Sequence, residues 1–379
     1  MAFQLFNKDK DKEGSPENKK MALKFQKLQV FKVVRETPDA ITIFFQNPDK
    51  QLYNYIPGQY LTLRVEINGK SVNRAFSLCT SPTTDDLLAV TVKKTTGGLV
   101  STYFIENLKA GDSLEVLPPL GNFTAKLKDY QKKHYFLIGA GSGITPLMSI
   151  LKTTLNVEKE SKVTLLFGNR NTGSVIFKSQ LDELQSQNPD RLKIIHVLTQ
   201  PDADWSGPTG RLTRGKVKEL LQSTIESESL VKEYFVCGPS AMMDEALHAL
   251  KEMRVAPENT HQEHFSAPIT HPMDEAVNKP EVIADAKVGS VKVILENKEY
   301  IIEVGPNSSI LEAALDSDLD PPYACMIGSC CTCKAKLMSG KVIMDDREGL
   351  TDEEIRDGFV LTCQSHPTTP NVVVSYDEI

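Results

Sequence analysis

Cys325, Cys330 and Cys333 fall in a C-x4-C-x2-C pattern, and Cys363 follows on a separate segment. Thiolates at this spacing hold a [2Fe–2S] cluster, three from one loop and the fourth from elsewhere in the chain. Such a cluster moves single electrons at low potential, on the order of −400 mV. The local sequence suits a loop that wraps around a cluster. It runs through Pro321-Pro322-Tyr323-Ala324 into the first cysteine, and Gly328, Ser329 and Thr332 let backbone N–H groups come close to sulfur. Zinc favours two short Cys pairs, and a single C-x2-C pair is present. Cys331 breaks the ligand spacing and reads as a non-ligand, while Cys79 and Cys237 lie far away in sequence.

The elements around this loop are legible. Val291–Leu295 and Lys298–Val304 alternate as strands do, with Asn297 between them as a hairpin turn. Ser308 to Leu315 reads as a helix, with Glu312 three residues after a Ser309 cap. Cys363 follows the apolar run Gly358–Thr362, a strand end. Upstream, residues from about 23 to 127 hold many short strands, among them Ala40–Phe45 and Tyr60–Val65, punctuated by Gly, Pro and Asn as in an antiparallel barrel. The pattern then changes. The apolar strand Tyr135–Ile138 runs into Gly139-Ala140-Gly141-Ser142-Gly143-Ile144-Thr145-Pro146, with a helix expected from about Leu147. Strand, glycine loop and helix together form a cradle for a phosphate, whose charge faces N–H groups and the helix N-terminus. Further strands at Val163–Phe167 and Glu233–Val236 also end in glycine-bearing loops, as in a parallel doubly wound sheet.

Composition sets the frame. At 379 residues the chain is long enough for two or three domains. Hydrophobic content of 40% and charged content of 25% are those of a soluble globular protein. No stretch approaches membrane-spanning length, and the N-terminus turns polar at once, without the apolar core of a signal peptide. Cysteines kept as thiolates point to a reducing compartment, so a cytoplasmic location is expected. A net charge of −7 argues against nucleic acid as a partner. The segment from Gly289 onward carries seven Lys and Arg against sixteen Asp and Glu, a net of −9 that would steer it toward a basic surface or simply keep it solvated.

Three motifs resemble the ferredoxin–NADP reductase superfamily: Arg74-Ala75-Phe76-Ser77, the run Gly139 to Pro146, and Cys237-Gly238-Pro239. With the four-cysteine loop behind them, their order is similar to that of the reductase components of bacterial multicomponent oxygenases. The resemblance implies a multi-domain fold: an antiparallel β-barrel FAD domain over 23–128, an α/β doubly wound NAD(P) domain over 129–265, and an α+β β-grasp ferredoxin domain over 289–379. A polar tail over 1–22 and a Pro-bearing linker over 266–288 complete it. It also implies electron flow from NADPH or NADH through FAD and a [2Fe–2S] cluster to a separate oxygenase. Two alternatives stay open: another haem or cluster protein as acceptor, and a non-catalytic electron carrier.

The resemblance assigns roles by position. Arg74 would neutralise the FAD pyrophosphate with its guanidinium fork. Ala75 lies between it and Phe76, which stands where the family usually has Tyr and would stack on the isoalloxazine. Ser77 would bond near flavin N5. Gly97, Gly98, Leu99, Val100 and Ser101 would cradle the pyrophosphate. Gly139, Gly141, Ser142 and Gly143 would hold the nicotinamide nucleotide, with Thr145 at its contact with flavin. Cys237, Gly238 and Pro239 would line the nicotinamide pocket, and Phe265 would cover the exposed flavin face. Arg170 follows the second strand of the nucleotide fold, where a cation meets a 2′-phosphate and so favours NADPH; alternatively it caps a helix or pairs with Asp182 or Glu183. Cys325, Cys330, Cys333 and Cys363 would ligate the cluster. No acid–base residue is required, because the cofactors carry the chemistry.

Overall fold

The computed structural model of the chain describes residues 23–46, 52–225, 230–265 and 289–378. The tail expected over 1–22 and the linker expected over 266–288 lie outside the described residues.

The first unit is a barrel of β1 (Gln26–Thr37), β2 (Ala40–Phe45), β3 (Tyr60–Ile67), β4 (Lys70–Ser77), β5 (Leu88–Lys93) and β6 (Ser113–Val116), with α1 (Leu99–Asn107) after β5. All its ladders are antiparallel, in the order β4-β3-β6-β1-β2-β5. A bridge between Leu78 and Val90 joins the two ends, so no long edge is left open. The strands are rich in β-branched and aromatic residues, whose branched stems pack well on a pleated surface. Ile41, Ile43, Leu61, Leu63, Val90 and Val116 fill the interior, and Val100 and Phe104 of α1 plug one end.

The second unit is a parallel sheet of β7 (Lys133–Ala140), β8 (Lys162–Asn169), β9 (Leu192–Leu198), β10 (Val231–Gly238) and β11 (Thr260–His264), in the order β11-β10-β7-β8-β9. Its strands are buried on both faces and read as apolar runs. Helices α2 (Ile144–Val157) and α3 (Lys178–Gln187) pack into one core, α4 (Arg214–Gln222) and α5 (Ser240–Glu252) into the other. The chain reverses direction across the sheet between β7 and β10, and ligands in such sheets bind at this switch point. Helix α2 starts at Ile144, three residues before the sequence-based expectation. Pro146 is no obstacle, because a first-turn N–H has no helical partner to lose.

The third unit contains β12 (Gly289–Leu295), β13 (Lys298–Val304), α6 (Ile310–Asp316), β14 (Lys334–Ser339), β15 (Val342–Met344), α7 (Asp352–Arg356), β16 (Phe359–Leu361), β17 (Ser365–Pro367) and β18 (Val372–Ser375). Its mixed sheet runs β13-β12-β18-β14-β16, and Ile310, Ala313 and Ala314 of α6 close its core. Glu296 and Asn297, at φ 53° and 61°, make the two-residue turn between β12 and β13. The Ser309 cap is reciprocal: its Oγ accepts from the Glu312 N–H at 3.2 Å, and the Glu312 carboxylate accepts from the Ser309 N–H at 2.9 Å.

At the switch point Gly143 leans on β10. A Cβ there would stand 2.0 Å from the Cys237 carbonyl oxygen, a backbone atom that cannot swing away. Gly143→Ala should therefore destabilise the chain by about 1–3 kcal/mol, as overpacking does. Equilibrium urea denaturation measures this, and an unchanged midpoint would refute the contact.

Candidate electron-transfer site

Four thiols gather in two pairs, Cys325 with Cys330 and Cys333 with Cys363. One member of each pair is held down first by its partner's S–H: Cys325 falls to about 5, and Cys363 is also lowered. Two pairs suit a two-iron cluster, in which each iron takes two thiolates. The loop's turn depends on Gly328 at φ +79°, where a Cβ would stand 2.8 Å from Asp346. The Ile327 N–H points at the Cys325 sulfur at 3.4 Å. Cys363 sits in a 3₁₀ turn just past β16, fastened by the Thr362 hydroxyl, which donates to the Cys333 carbonyl at 2.9 Å. Cys331 stands outside both pairs, its sulfur 3.4 Å from the Tyr60 hydroxyl.

Arg74, Ala75, Phe76 and Ser77 form the last half of β4. Arg74 donates to the Asn73 carbonyl at 2.7 Å, and no described carboxylate pairs with it, so its charge is available to an anion. Phe76 is half-buried, its ring centroid 5.9 Å from that of Phe104 on α1. The Ser77 hydroxyl donates to the Glu263 carboxylate at 3.0 Å. Burial pushes the Glu263 carboxyl up to about 8, against the downward pull of Ser77. Gly97, at φ +73°, and Gly98 lead into Leu99, Val100 and Ser101, the first turn of α1. That turn has no side-chain cap and no acidic residue, which leaves its N–H groups for an anion. The Ser101 hydroxyl is already engaged, accepting from the Thr95 N–H at 3.2 Å.

The flavin motif and the cluster loop face one cavity. A space of about 170 Å³ is lined by Arg74, Ser77, Glu263 and Phe265 on one side and by Cys325 and Cys330 on the other. Phe265 is 44% exposed beside it. A larger cavity of about 650 Å³ opens at the switch point of the parallel sheet. Gly141 and Pro239 line it, with Lys93, Arg170, Arg211 and Met242 around them. Gly139, Ser142, Gly143, Cys237 and Gly238 frame the same junction between β7 and β10. The buried Thr145 hydroxyl donates to the Ser142 carbonyl at 3.0 Å. Cys237 is fully buried, which holds its thiol well above the ordinary value and leaves it unreactive.

Arg170 pairs with Asp39 of the barrel at 3.1 Å, and neither Asp182 nor Glu183 is its partner. Lys178, one turn earlier on α3, takes Asp182 instead. Lys93 also reaches Asp39, at 3.7 Å. Tyr60, Lys93, Arg211 and Glu263 were not singled out from the sequence. Their neighbours come from other segments, so no local spacing marks them.

The Glu263 carboxyl makes a pH prediction. Between its ordinary value of 4.5 and about 8, the folded chain keeps a proton that the unfolded chain has released. The associated stability is fully present below 4.5 and is lost as pH rises toward 8, by at most about 1.4 kcal/mol per pH unit for this half-buried residue. Glu263→Gln should flatten that slope. Denaturation of both proteins at pH 5 and pH 8 reads it, and equal slopes would show that Glu263 is not the titrating group.

Comparison with known proteins covers all three units. The oxidoreductase FAD-binding domain model matches residues 27–125, the oxidoreductase NAD-binding domain model 137–248, and the 2Fe-2S iron-sulfur cluster binding domain model 293–368. The chain is similar to a subunit of 1,2-phenylacetyl-CoA epoxidase from Escherichia coli, with 38% identity over 93% of this chain and 98% of that protein. It is also similar to the ferredoxin reductase component of 3-ketosteroid-9-alpha-monooxygenase from Mycobacterium tuberculosis, with 36% identity over 93% of this chain and 96% of that one. Phthalate dioxygenase reductase has the same fold, with a TM-score of 0.56 and 24% identity over 93% of this chain and 98% of that structure. The chain belongs to the three-domain FAD, NAD(P) and [2Fe–2S] oxidoreductases, enzymes that pass electrons from a nicotinamide through flavin to an iron–sulfur cluster.

Proposed function

We propose that this reductase serves a separate oxygenase of the phenylacetyl-CoA epoxidase type and draws on NADPH. The observation that carries the electron path is the single cavity shared by Arg74, Ser77 and Glu263 with Cys325 and Cys330. The oxygenase assignment rests on likeness to epoxidase and monooxygenase components along nearly the whole chain. Bound FAD would turn the paired electrons of NADPH into single ones suited to a [2Fe–2S] cluster.

The chain's own residues hold and shield these groups. The unpaired Arg74 fork and the N–H groups of Leu99, Val100 and Ser101, behind Gly97 and Gly98, neutralise the FAD pyrophosphate. Phe76 flanks the ring system. Ser77 donates to Glu263, whose carboxyl keeps its own proton at neutral pH, so neither would place a negative charge against bound flavin. Gly139, Gly141, Ser142, Gly143 and Thr145 would seat the nicotinamide nucleotide, Cys237, Gly238 and Pro239 would close its pocket, and Phe265 would shield the flavin. Cys325, Cys330, Cys333 and Cys363 hold the cluster.

NADPH is favoured at the rim of the larger cavity. Arg170 and Lys93 share one carboxylate, Asp39, and Arg211 lies on the same rim. Asp244 and Glu245 line the same cavity, so the reading rests on the place of Arg170 just past β8 and not on a surplus of positive charge. The described cysteines form no disulfides, which supports a reducing cytoplasmic setting. Among the described residues no helix is long and apolar enough to cross a membrane, and the net charge of −7 speaks against nucleic acid.

Anaerobic titration with NADPH and, separately, NADH tests the path. Bleaching of flavin and cluster bands by NADPH well below the NADH concentration needed is the expected result. Equal response to both coenzymes would reject the NADPH assignment, and no bleaching by either would reject the reductase reading. Arg170→Ala should lower kcat/KM for NADPH about tenfold, with NADH little changed, as the loss of a charge-assisted phosphate contact would. Cys330→Ser should leave flavin bleaching intact and abolish the cluster bands.

A further inference from the structure

Tyr60 opens β3, and its backbone is fixed on both sides. It pairs with Ser77 of the flavin motif across one ladder and exchanges hydrogen bonds with Leu120 at 2.8 and 3.0 Å on the other side. Its ring is 4% exposed and lies against Gly121, where an added Cβ would stand 2.9 Å from the ring edge. Its hydroxyl leaves the barrel altogether. It accepts from the Cys331 N–H at 3.2 Å and shares a proton with the Thr332 hydroxyl at 3.0 Å. Thr62, next but one on β3, reaches the same Thr332 hydroxyl at 3.3 Å. Tyr60, Ala324, Cys330 and Cys331 together form a small core that neither unit builds alone.

The remaining contacts of this junction lie at its rim. Arg64 makes a two-pronged ion pair with Asp320 at 2.7 and 2.8 Å, and Asn122 donates to Glu354 at 3.0 Å. The Arg64 side chain is 15% exposed and that of Asp320 66%, so one half of the pair is open to solvent and the attraction weakens with salt. A buried, dry hydrogen-bond network is stronger and fixes geometry.

We propose that Tyr60 is a positioning residue for electron transfer between flavin and cluster: its hydroxyl seats the Cys330–Thr332 loop on the strand that carries the flavin motif. NADPH supplies two electrons, and each crosses this junction singly. Arg64–Asp320 guides the approach, while Tyr60 sets the register. The inference rests on the flavin and cluster assignments above, but its first readout needs no electron flow.

Cys331 supplies that readout. It is the one cysteine of the ferredoxin unit outside the two pairs, and the junction buries it to 6% exposure. In the cofactor-loaded full-length chain, Tyr60→Phe keeps the ring and removes the hydroxyl. Iodoacetamide labelling of Cys331, followed by peptide mass spectrometry, should rise about five- to tenfold in the variant, with the core residues Cys79 and Cys237 unchanged. Stopped-flow reduction by NADPH should show flavin bleaching at the wild-type rate and cluster bleaching slowed by a similar factor. Arg64→Ala should slow the cluster step less than Tyr60→Phe, and its effect should fade with added salt. Wild-type labelling in Tyr60→Phe would overturn the proposal. So would loss of the cluster's absorption bands, which would make Tyr60 a support of the loop's own fold. Equal slowing of the flavin step would also overturn it, since the damage would then lie in the barrel.

Discussion

A tyrosine hydroxyl shared with a threonine hydroxyl and a backbone N–H is a small interaction, yet it joins the strand that carries the flavin motif to the loop that carries the cysteines. On one side, Tyr60 is laddered to Ser77, so any motion of the flavin motif moves it. On the other, it touches Cys331 and Thr332, between two of the paired thiols. Electron transfer between two groups depends steeply on their separation, so a contact that fixes this separation matters to it. The barrel and the ferredoxin unit meet through few apolar side chains and several polar ones, a surface that holds position without becoming a permanent core.

Around that junction the parts divide their labour by folding class. The closed barrel offers a rigid strand end at Ser77 and an uncapped helix at Leu99, both suited to a flavin bearing a pyrophosphate. The parallel sheet offers its switch point, with glycines where backbone meets backbone. The ferredoxin unit offers a loop whose ligands are mostly local. Glu263 joins the first two parts, because the last residues of β11 carry its carboxyl to Ser77 across the domain boundary. Glu348 joins the second and third: burial pushes its carboxyl up to about 7, and it meets the buried His264 at 3.1 Å.

What the sequence disclosed follows from how far apart cooperating residues lie. Cys325, Cys330 and Cys333 sit within nine residues, so spacing alone marked them. The Ser309–Glu312 cap and the Asn297 turn were legible for the same reason, since each is complete within one turn of chain. The family motifs carried the rest of the barrel and sheet. Tyr60 and Thr332 are 272 residues apart, Ser77 and Glu263 are 186, and Arg170 and Asp39 are 131. No periodicity or motif links such pairs, because tertiary folding alone brings them together. Arg170 illustrates this: the alternative partners close in sequence, Asp182 and Glu183, are not the ones it meets, since Asp182 pairs with Lys178 and Arg170 with the distant Asp39. Helix α2 begins three residues before the expected Leu147, and Pro146 falls in its first turn, which tolerates proline.

The contact of Gly143 with the Cys237 carbonyl bears on how this enzyme could be re-engineered. Gly143 meets the Cys237 carbonyl main chain against main chain, so no choice of side chain can resculpt that contact. Variation is admitted where side chains line the larger cavity, among them Lys93, Arg170, Arg211 and Met242. A library aimed at accepting truncated or synthetic nicotinamides would therefore gain its diversity at those side chains. The backbone contact at the β7–β10 junction would pass through selection unaltered.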